Sequence, residues 1–273
     1  MSAKESALAR PRILVTNDDG VAATGLRALA AALRQIAQVD IVAPDHNWSA
    51  SGHSKTMDRP LYVRATTLAD GSPATMTSGS PSDCVAMALL GLLPSRPDLV
   101  VSGINQGANL STDLVYSGTV AAAREAVFAG VPAIAVSLNS VSSDEYGPAA
   151  AFCVCLAQQL LAQRWEKPAF LNVNVPALPA SAIRGVQVTR LGTRVYRDAL
   201  VAREDPRGRP YYWIGGEPPT GIAEPGTDFG ALNEGYISVT PVSTDLTDYQ
   251  RVDVMAPWAE ILGSTLAGAQ GQA

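Results

Sequence analysis

RILVTNDDG, residues 12–20, joins a short apolar run to a polar turn. The run Arg12–Thr16 is predicted to be a buried strand, and Gly25–Gln35 then repeats apolar residues at the spacing of a helix. Asp18 and Asp19 stand between the two elements, directly after the strand. A strand that leads through a polar turn into a helix is the repeating unit of an α/β sheet.

The same alternation continues over the first two thirds of the chain. Further strands are predicted over Val39–Ala43, Asp98–Ser102, Ala133–Ser137 and Ala169–Val173, and further helices over Ser82–Leu93, Gly118–Ala129 and Ala149–Arg164. Strands that are apolar on both faces and separated by helices are typical of a parallel sheet covered on both sides. We therefore predict an α/β fold, a Rossmann-like three-layer parallel sheet with ligands at the carboxyl ends of its strands.

The pattern changes near residue 185. Gly/Pro-rich turns there separate short strands predicted over Gln187–Arg190, Tyr211–Ile214 and Tyr236–Thr240, and a closing helix is predicted over Val252–Leu262. The predicted organisation is a disordered extension over residues 1–10, a Rossmann-like domain over 11–184, a smaller β-rich C-terminal section over 185–263 and a flexible tail over 264–273.

The chain is acidic, with a formal net charge of −5 and a pI of about 5.1. A protein that holds a nucleic-acid polymer usually carries a basic surface, so we expect no such partner. A small phosphorylated ligand remains compatible with this charge if a metal ion or backbone N–H groups supply positive potential. The first ten residues lack the apolar segment of a signal peptide, and no apolar run is long enough to span a membrane. We therefore expect a cytoplasmic protein without membrane contact.

Two adjacent aspartates at a strand end are a candidate metal site. Successive side chains of a strand point to opposite faces, so Asp18 and Asp19 converge only if the chain turns, as Gly20 permits. Two carboxylates held together repel unless a cation lies between them, and hard oxygen ligands suit Mg²⁺ or Mn²⁺. The competing interpretation is that one aspartate caps the following helix.

Further polar segments flank the other predicted elements. Residues 44–49, PDHNWS, follow the second strand, and residues 102–109, SGINQGAN, follow Asp98–Ser102. Both compositions are also typical of ordinary solvated turns. Residues 117–119, Ser-Gly-Thr, begin the helix Gly118–Ala129, where hydroxyl and free N–H groups form either a phosphate site or an ordinary N-cap.

Spacing excludes several familiar sites. Only Gly20 and Gly25 follow the first strand, which excludes a dinucleotide fingerprint, and Leu26 stands where a P-loop has lysine. Adjacent aspartates do not match the Asp-x-Asp of hydrolases that form an aspartyl-phosphate, and no G-x-S-x-G motif occurs. With His46 and His53 as the only histidines, a three-histidine zinc site is excluded as well.

Taken together, the motifs resemble the SurE family of 5'/3'-nucleotidases. The resemblance extends from Arg12 to about Trp258 and rests on ILVTNDDGVAATGL, VAPDHNWSASGHS, SGSPSDCV, DLVVSGINQGANLSTDLVYSGTVAAAREA, VPAIAVSL and PGTDFGALNEGYISVTP. It implies one divalent metal ion, Mg²⁺ or Mn²⁺, bound by two aspartates, a serine and an asparagine. In this sequence those ligands fall on Asp18, Asp19, Ser49 and Asn105.

The reaction implied by the resemblance is metal-dependent hydrolysis of nucleoside monophosphates, with Asp19 as the candidate general base. The candidate phosphate contacts are Asn109, Ser117, Gly118 and Thr119. The alternatives are an exopolyphosphatase or broad phosphomonoesterase that uses the same site and, in another class, a non-catalytic nucleotide-binding regulator. We expect loose recognition of the base, because no obvious aromatic clamp stands near these loops.

Three positions depart from the family pattern without removing a predicted ligand. Ala50 and Ser111 stand where many members have glycine, and His53 occupies a variable position. The resemblance also implies a homodimer or homotetramer in which a hairpin is exchanged between subunits, here roughly Tyr196–Ile214.

Overall fold

The computed structural model describes residues 10–263. Except for Arg10, the extension predicted over residues 1–10 lies outside the described residues, as does the tail predicted over 264–273. By their contacts, the residues up to Val242 form one compact unit and those from Ser243 form a second. In the described part of the chain, no helix is both long enough and apolar enough to cross a membrane.

The first unit is built on a large mixed sheet and a separate hairpin. The strands are β1 (Arg12–Thr16), β2 (Gln38–Pro44), β3 (Val63–Thr67), β4 (Pro73–Thr77), β5 (Leu99–Gln106), β6 (Ala133–Asn139), β7 (Phe170–Pro176), β8 (Val186–Val188), β9 (Thr193–Glu204), β10 (Pro210–Ile222) and β11 (Ile237–Pro241). The large sheet has the order β3–β4–β2–β1–β5–β6–β7–β11–β8, and β9 pairs with β10. Its central run from β4 to β7 is parallel, so the predicted Rossmann-like sheet is confirmed.

Helices cover both faces of this sheet. They are α1 (Thr24–Leu33), α2 (Pro81–Met87), α3 (Gly118–Phe128), α4 (Gly147–Ala162) and α5 (Asp228–Asn233), with α6 (Tyr249–Met255) in the second unit. Because side chains alternate along β1, Ile13 packs in one apolar cluster with Leu29 of α1, and Leu14 packs in the other with Val120 of α3. The two clusters lie on opposite faces of the sheet, which gives the predicted three layers of helix, sheet and helix.

The structure differs from the prediction where glycine or proline interrupts a periodic pattern. The helix predicted over Ser82–Leu93 ends at Met87. A π-helical turn over Ala88–Leu92 follows, in which Gly91 has a φ of 122°. The helix predicted over Val252–Leu262 is broken by a turn at residues 256–257, where Pro257 cannot continue the hydrogen-bond ladder. Strands β3 and β4 were not predicted, since their sequences, VRATT and PATMT, lack a continuous apolar run and β3 is a largely exposed edge strand.

The region after residue 185 contributes to both sheets. β8 and β11 extend the large sheet next to β7, so the boundary drawn at residue 185 lies within a continuous sheet. The predicted hairpin is present, and it is longer than the predicted Tyr196–Ile214, with Thr193 opposite Ile222 at its base. Several of its large apolar side chains are exposed, among them Leu200, Trp213 and Ile214.

Candidate functional site

The candidate site lies at one edge of the sheet, where β2, β1 and β5 end as parallel neighbours. Parallel strands bring their carboxyl ends to the same edge, so Asp18, Ser49 and Asn105 leave the sheet on the same side. The first two loops are joined directly, because the N–H of Trp48 donates to the carbonyl of Asp18 at 2.7 Å. Gly20, at a φ of 97°, forms the turn that follows the two aspartates.

Asp18 is the more buried of the two aspartates, with 3% of its surface exposed. Its carboxylate lies at the N-terminus of α3, where it accepts a hydrogen bond from the Thr119 hydroxyl and from the backbone N–H groups of Gly118 and Thr119. Burial raises the pKa of Asp18, and these hydrogen bonds offset part of the rise. A Cβ on Gly118 would lie 2.7 Å from the Asp18 Cβ, so this close approach requires glycine.

Asp19 reaches from the end of β1 towards the end of β5. Burial raises its pKa to about 6, and the negative charge of Asp18 contributes to the rise. A hydrogen bond from the backbone N–H of Gln106 acts in the opposite direction. The structure therefore brings two acidic side chains together and places one of them beside the segment that contains Asn105.

Asn105 and Ser49 contribute neutral oxygen atoms at the same edge. The Asn105 amide nitrogen donates to the carbonyl of Gly107 at 2.7 Å, which orients the amide and leaves its oxygen available as a ligand. The Ser49 backbone N–H donates to the Asn47 side chain at 2.7 Å, and its exposed hydroxyl bonds to no other described residue.

The residues present fit a divalent cation. Burial, and after it the charge of Asp18, raises the pKa of Asp19, so two ionised carboxylates are unfavourable here unless a divalent cation neutralises them. Over residues 10–263, no three His, Cys, Asp or Glu side chains cluster in a way that could hold a metal ion. The four-residue ligand set stays a prediction, since its other two members are a hydroxyl and an amide.

The predicted phosphate contacts lie at the same edge but are already engaged within the protein. Ser117 is the N-cap of α3, and its Oγ accepts from the N–H of Val120 at 3.2 Å. Thr119 is fully buried and donates to Asp18. The Asn109 side chain donates to the Ser137 hydroxyl at 2.8 Å. The role of these residues in binding phosphate stays a prediction, whereas their role in positioning Asp18 and the loops is seen directly.

His53 belongs to the loop after β2, and its imidazole packs against α3. Its Nε2 is 3.0 Å from Glu125 Oε2, Lys55 Nζ is 2.6 Å from the other oxygen, and the imidazole stacks on Phe128. Burial alone raises the pKa of Glu125, but the hydrogen bonds from His53 and Lys55 outweigh it and hold that pKa below its usual value. His53 thereby anchors the loop that carries Ser49.

Asp228 was missed by sequence reasoning, although it ties the loop after β5 to the base of the hairpin. This fully buried carboxylate accepts from the N–H of Ser111 at 2.8 Å and from the N–H of Gly192 at 2.8 Å. Ser111 has a φ of 52°, and its hydroxyl also donates to the Gly192 carbonyl at 2.7 Å. No local sequence signal predicts these contacts, because Asp228 and Ser111 are 117 residues apart.

Comparison with known proteins matches this chain to one family. The family model described as Survival protein SurE matches residues 13–198. The 5'-nucleotidase SurE of Chloroflexus aggregans is 52% identical over 248 residues, which cover 90% of this chain and 98% of that protein. The 5'-nucleotidase SurE of Herpetosiphon aurantiacus is 51% identical and covers 86% and 93%. The crystal structure of SurE protein from Aquifex aeolicus is 37% identical, covers 91% of this chain and 100% of its own, and has a TM-score of 0.78.

Replacing Ala50 by glycine is expected to stabilise the protein. Ala50 has a φ of 57°, a left-handed conformation that costs any residue with a Cβ. We expect Ala50→Gly to raise the free energy of unfolding by about 0.5–1 kcal/mol, measured by urea denaturation. The matched control is Ala151→Gly on the exposed face of α4, which should lower it by about 1 kcal/mol. Destabilisation by both substitutions would contradict the strain at position 50.

Removing one charge of the aspartate pair is expected to stabilise the metal-free protein. The folded-state pKa of Asp19, about 6, lies above its ordinary value of 3.8, so folding disfavours the ionised form. The penalty is absent below about pH 4, grows as the pH rises and is complete above about pH 7. In EDTA at about pH 7.5, Asp19→Asn should raise the free energy of unfolding by about 1–2 kcal/mol, and at about pH 4 it should change little.

The control for this measurement is Asp58→Asn, because Asp58 is an exposed aspartate. Thermal or urea unfolding should show a pH-dependent gain for Asp19→Asn alone. The same gain from both variants, or a loss for Asp19→Asn at about pH 7.5, would argue against a raised pKa of Asp19 in the folded protein.

Proposed function

The chain belongs to the SurE family, and we propose that it is a divalent-metal-dependent 5'-nucleotidase, which hydrolyses nucleoside monophosphates to nucleoside and phosphate. The observation that carries the proposal is the convergence of the Asp18 and Asp19 carboxylates beside the end of β5. The relatives named 5'-nucleotidase SurE match this chain over almost their whole length, which supports the same activity for this chain.

We place one Mg²⁺ or Mn²⁺ ion at this edge of the sheet. Two carboxylates, one amide oxygen and one hydroxyl would hold it, and these come from Asp18, Asp19, Ser49 and Asn105. When bound, such an ion supplies positive charge for the phosphate oxygens and makes a water molecule more acidic.

The two aspartates have different roles in this proposal. The Asp18 carboxylate is committed to the N-terminus of α3, where three donors hold it in place. Asp19 accepts only the N–H of Gln106 among the contacts that lower its pKa, so it has oxygen lone pairs left for a proton of the attacking water. Asp19 is therefore the general base of the proposed reaction, and Asp18 is a fixed ligand.

The phosphate oxygens need donors that the protein does not already use. Ser117 accepts from Val120 through its oxygen, so its hydroxyl hydrogen remains available. Asn109 uses one amide hydrogen on Ser137 and has a second. In this proposal Ser117 and Asn109 contact the phosphate directly, and Gly118 and Thr119 act chiefly by holding Asp18.

The activity is expected to require both the metal ion and Asp19. Phosphate release from adenylate should stop in EDTA and return on addition of Mn²⁺ or Mg²⁺. Asp19→Asn should lower kcat by about 10²–10⁴-fold while leaving the fold intact, because a general base typically contributes that much. Asp58→Asn is the matched control and should retain full activity. Normal turnover by Asp19→Asn would exclude Asp19 as the base.

A substrate panel in the same assay separates the other hypotheses. Faster release from inorganic polyphosphate, or equal release from unrelated phosphomonoesters, would favour an exopolyphosphatase or a broad phosphomonoesterase. Binding of adenylate without phosphate release in either metal would favour a non-catalytic nucleotide-binding regulator. Comparison of 5'- and 3'-nucleotides defines the position of the phosphate ester that is cleaved.

We also propose that the chain forms a homodimer or homotetramer through the β9–β10 hairpin. Trp213 and Ile214 are 65% and 85% exposed, and an exposed apolar ribbon of this kind is typical of a subunit interface. Light scattering should give a multiple of the 28.4 kDa chain mass, and Trp213→Glu should shift it towards 28.4 kDa. Met57→Glu, at an 88% exposed site outside the hairpin, is the control. A wild-type mass of 28.4 kDa would exclude the assembly.

The cytoplasmic location stays a prediction from the sequence.

A further inference from the structure

A cleft of about 520 Å³ lies beside the candidate site. It is formed by the loop after β5, the residues that follow β6, the base of the hairpin and α5. Its lining includes Gly107, Asn139, Val141, Arg194, Phe229 and Asn233. The volume lies within the range of small-molecule sites, roughly 300–1,000 Å³. The cleft is therefore large enough for the organic part of a phosphate ester.

One wall of the cleft is adjacent in sequence to the residues that contact the aspartate pair. Gly107 in its wall accepts a hydrogen bond from the Asn105 side chain at 2.7 Å. The preceding residue, Gln106, donates its backbone N–H to Asp19. Consecutive Cα atoms are about 3.8 Å apart, so the wall of the cleft lies within two residues of a contact to the acidic pair. A molecule with its phosphate at Asp19 would extend naturally into this space.

The far wall carries a fixed aromatic and cationic pair. The Arg194 guanidinium lies 5.3 Å from the centroid of the Phe229 ring, and its Nε is 3.0 Å from the Asp113 carboxylate. The Phe229 ring lies where a side chain on Gly221 would be, since a Cβ there would approach the ring to 2.1 Å. Gly221 is the register partner of Arg194 in the hairpin, so the backbone sets the position of both groups.

Polar groups at the rim complement this pair. The side-chain amides of Asn139 and Asn233 are exposed, and neither bonds to another described residue. An amide offers both donors and acceptors to the edge of a heterocycle, and an aromatic ring with a guanidinium offers a flat surface for stacking. The combination suits a planar ligand with a polar edge better than a purely apolar one.

The geometry points to this cleft as the nucleoside site of the enzyme, with the base against Phe229 and Arg194 and the phosphate at the Asp19 end. This assignment rests on the proposed nucleotidase function and adds the residues that select its substrate. Sequence reasoning did not find Phe229, because it is distant in sequence and lies beside the loop after β5 only through the fold.

The test compares a substrate that has a base with one that lacks it. Phe229→Leu should lower kcat/KM for adenylate by about tenfold, mainly through KM, because the base loses the aromatic face on which it stacks. The same variant should leave kcat/KM for β-glycerophosphate unchanged. Phe152→Leu on α4 is the matched control and should affect neither substrate. An equal loss on both substrates, or no loss on adenylate, would overturn the assignment.

A binding measurement separates failure of the cleft from failure of the proposed reaction. Calorimetric titration of adenosine, which has no phosphate, should give saturable binding to the wild-type protein and about tenfold weaker binding to Phe229→Leu. If wild-type protein releases phosphate from neither substrate, the nucleotidase proposal fails, and this titration alone decides whether the cleft takes a nucleoside. Absence of adenosine binding, or equal affinity in both proteins, would overturn the nucleoside site.

Discussion

A carboxylate removed from water needs hydrogen-bond donors, and Asp18 finds them at the N-terminus of α3. This contact joins the end of β1 to a helix that begins a hundred residues later. Gly118 makes the approach possible, since any side chain there would meet the Asp18 Cβ at 2.7 Å. The loop after β2 is then held on the same residue by the bond from Trp48 to the Asp18 carbonyl.

Burial and the nearby charge of Asp18 make the second carboxylate costly. Asp19 follows Asp18 directly, and both carboxylates lie at the same edge of the sheet, where Asp19 is partly buried. Two adjacent acids at this position lower the stability of the metal-free protein. A divalent cation would neutralise both groups, so the unfavourable electrostatics of the bare protein and the proposed chemistry would have one origin.

A second buried carboxylate, Asp228, plays an architectural role at the other end of the loop after β5. It holds Ser111 and Gly192 together, and so it joins the acidic edge to the base of the hairpin. Arg194 and Phe229 come shortly after Gly192 and Asp228 in the sequence, and the Arg194 guanidinium lies over the Phe229 ring. The proposed nucleoside cleft and the proposed subunit interface therefore share the β9–β10 hairpin, one at its base and the other on its exposed strands.

The sequence by itself determined the parallel α/β sheet, the position of Asp18 and Asp19 at a strand end and the family, because these depend on short-range periodicity and on ordered motifs. It did not determine the edge strand β3, whereas the break at Pro257 follows from a local signal that the predicted helix over Val252–Leu262 ignored. The tertiary structure alone decided that Asp18 occupies the helix terminus predicted to bind phosphate, and that Phe229 lies beside the loop after β5. Those contacts join residues a hundred or more positions apart, and the packing of the whole chain sets them, whereas local propensity acts only over a few residues.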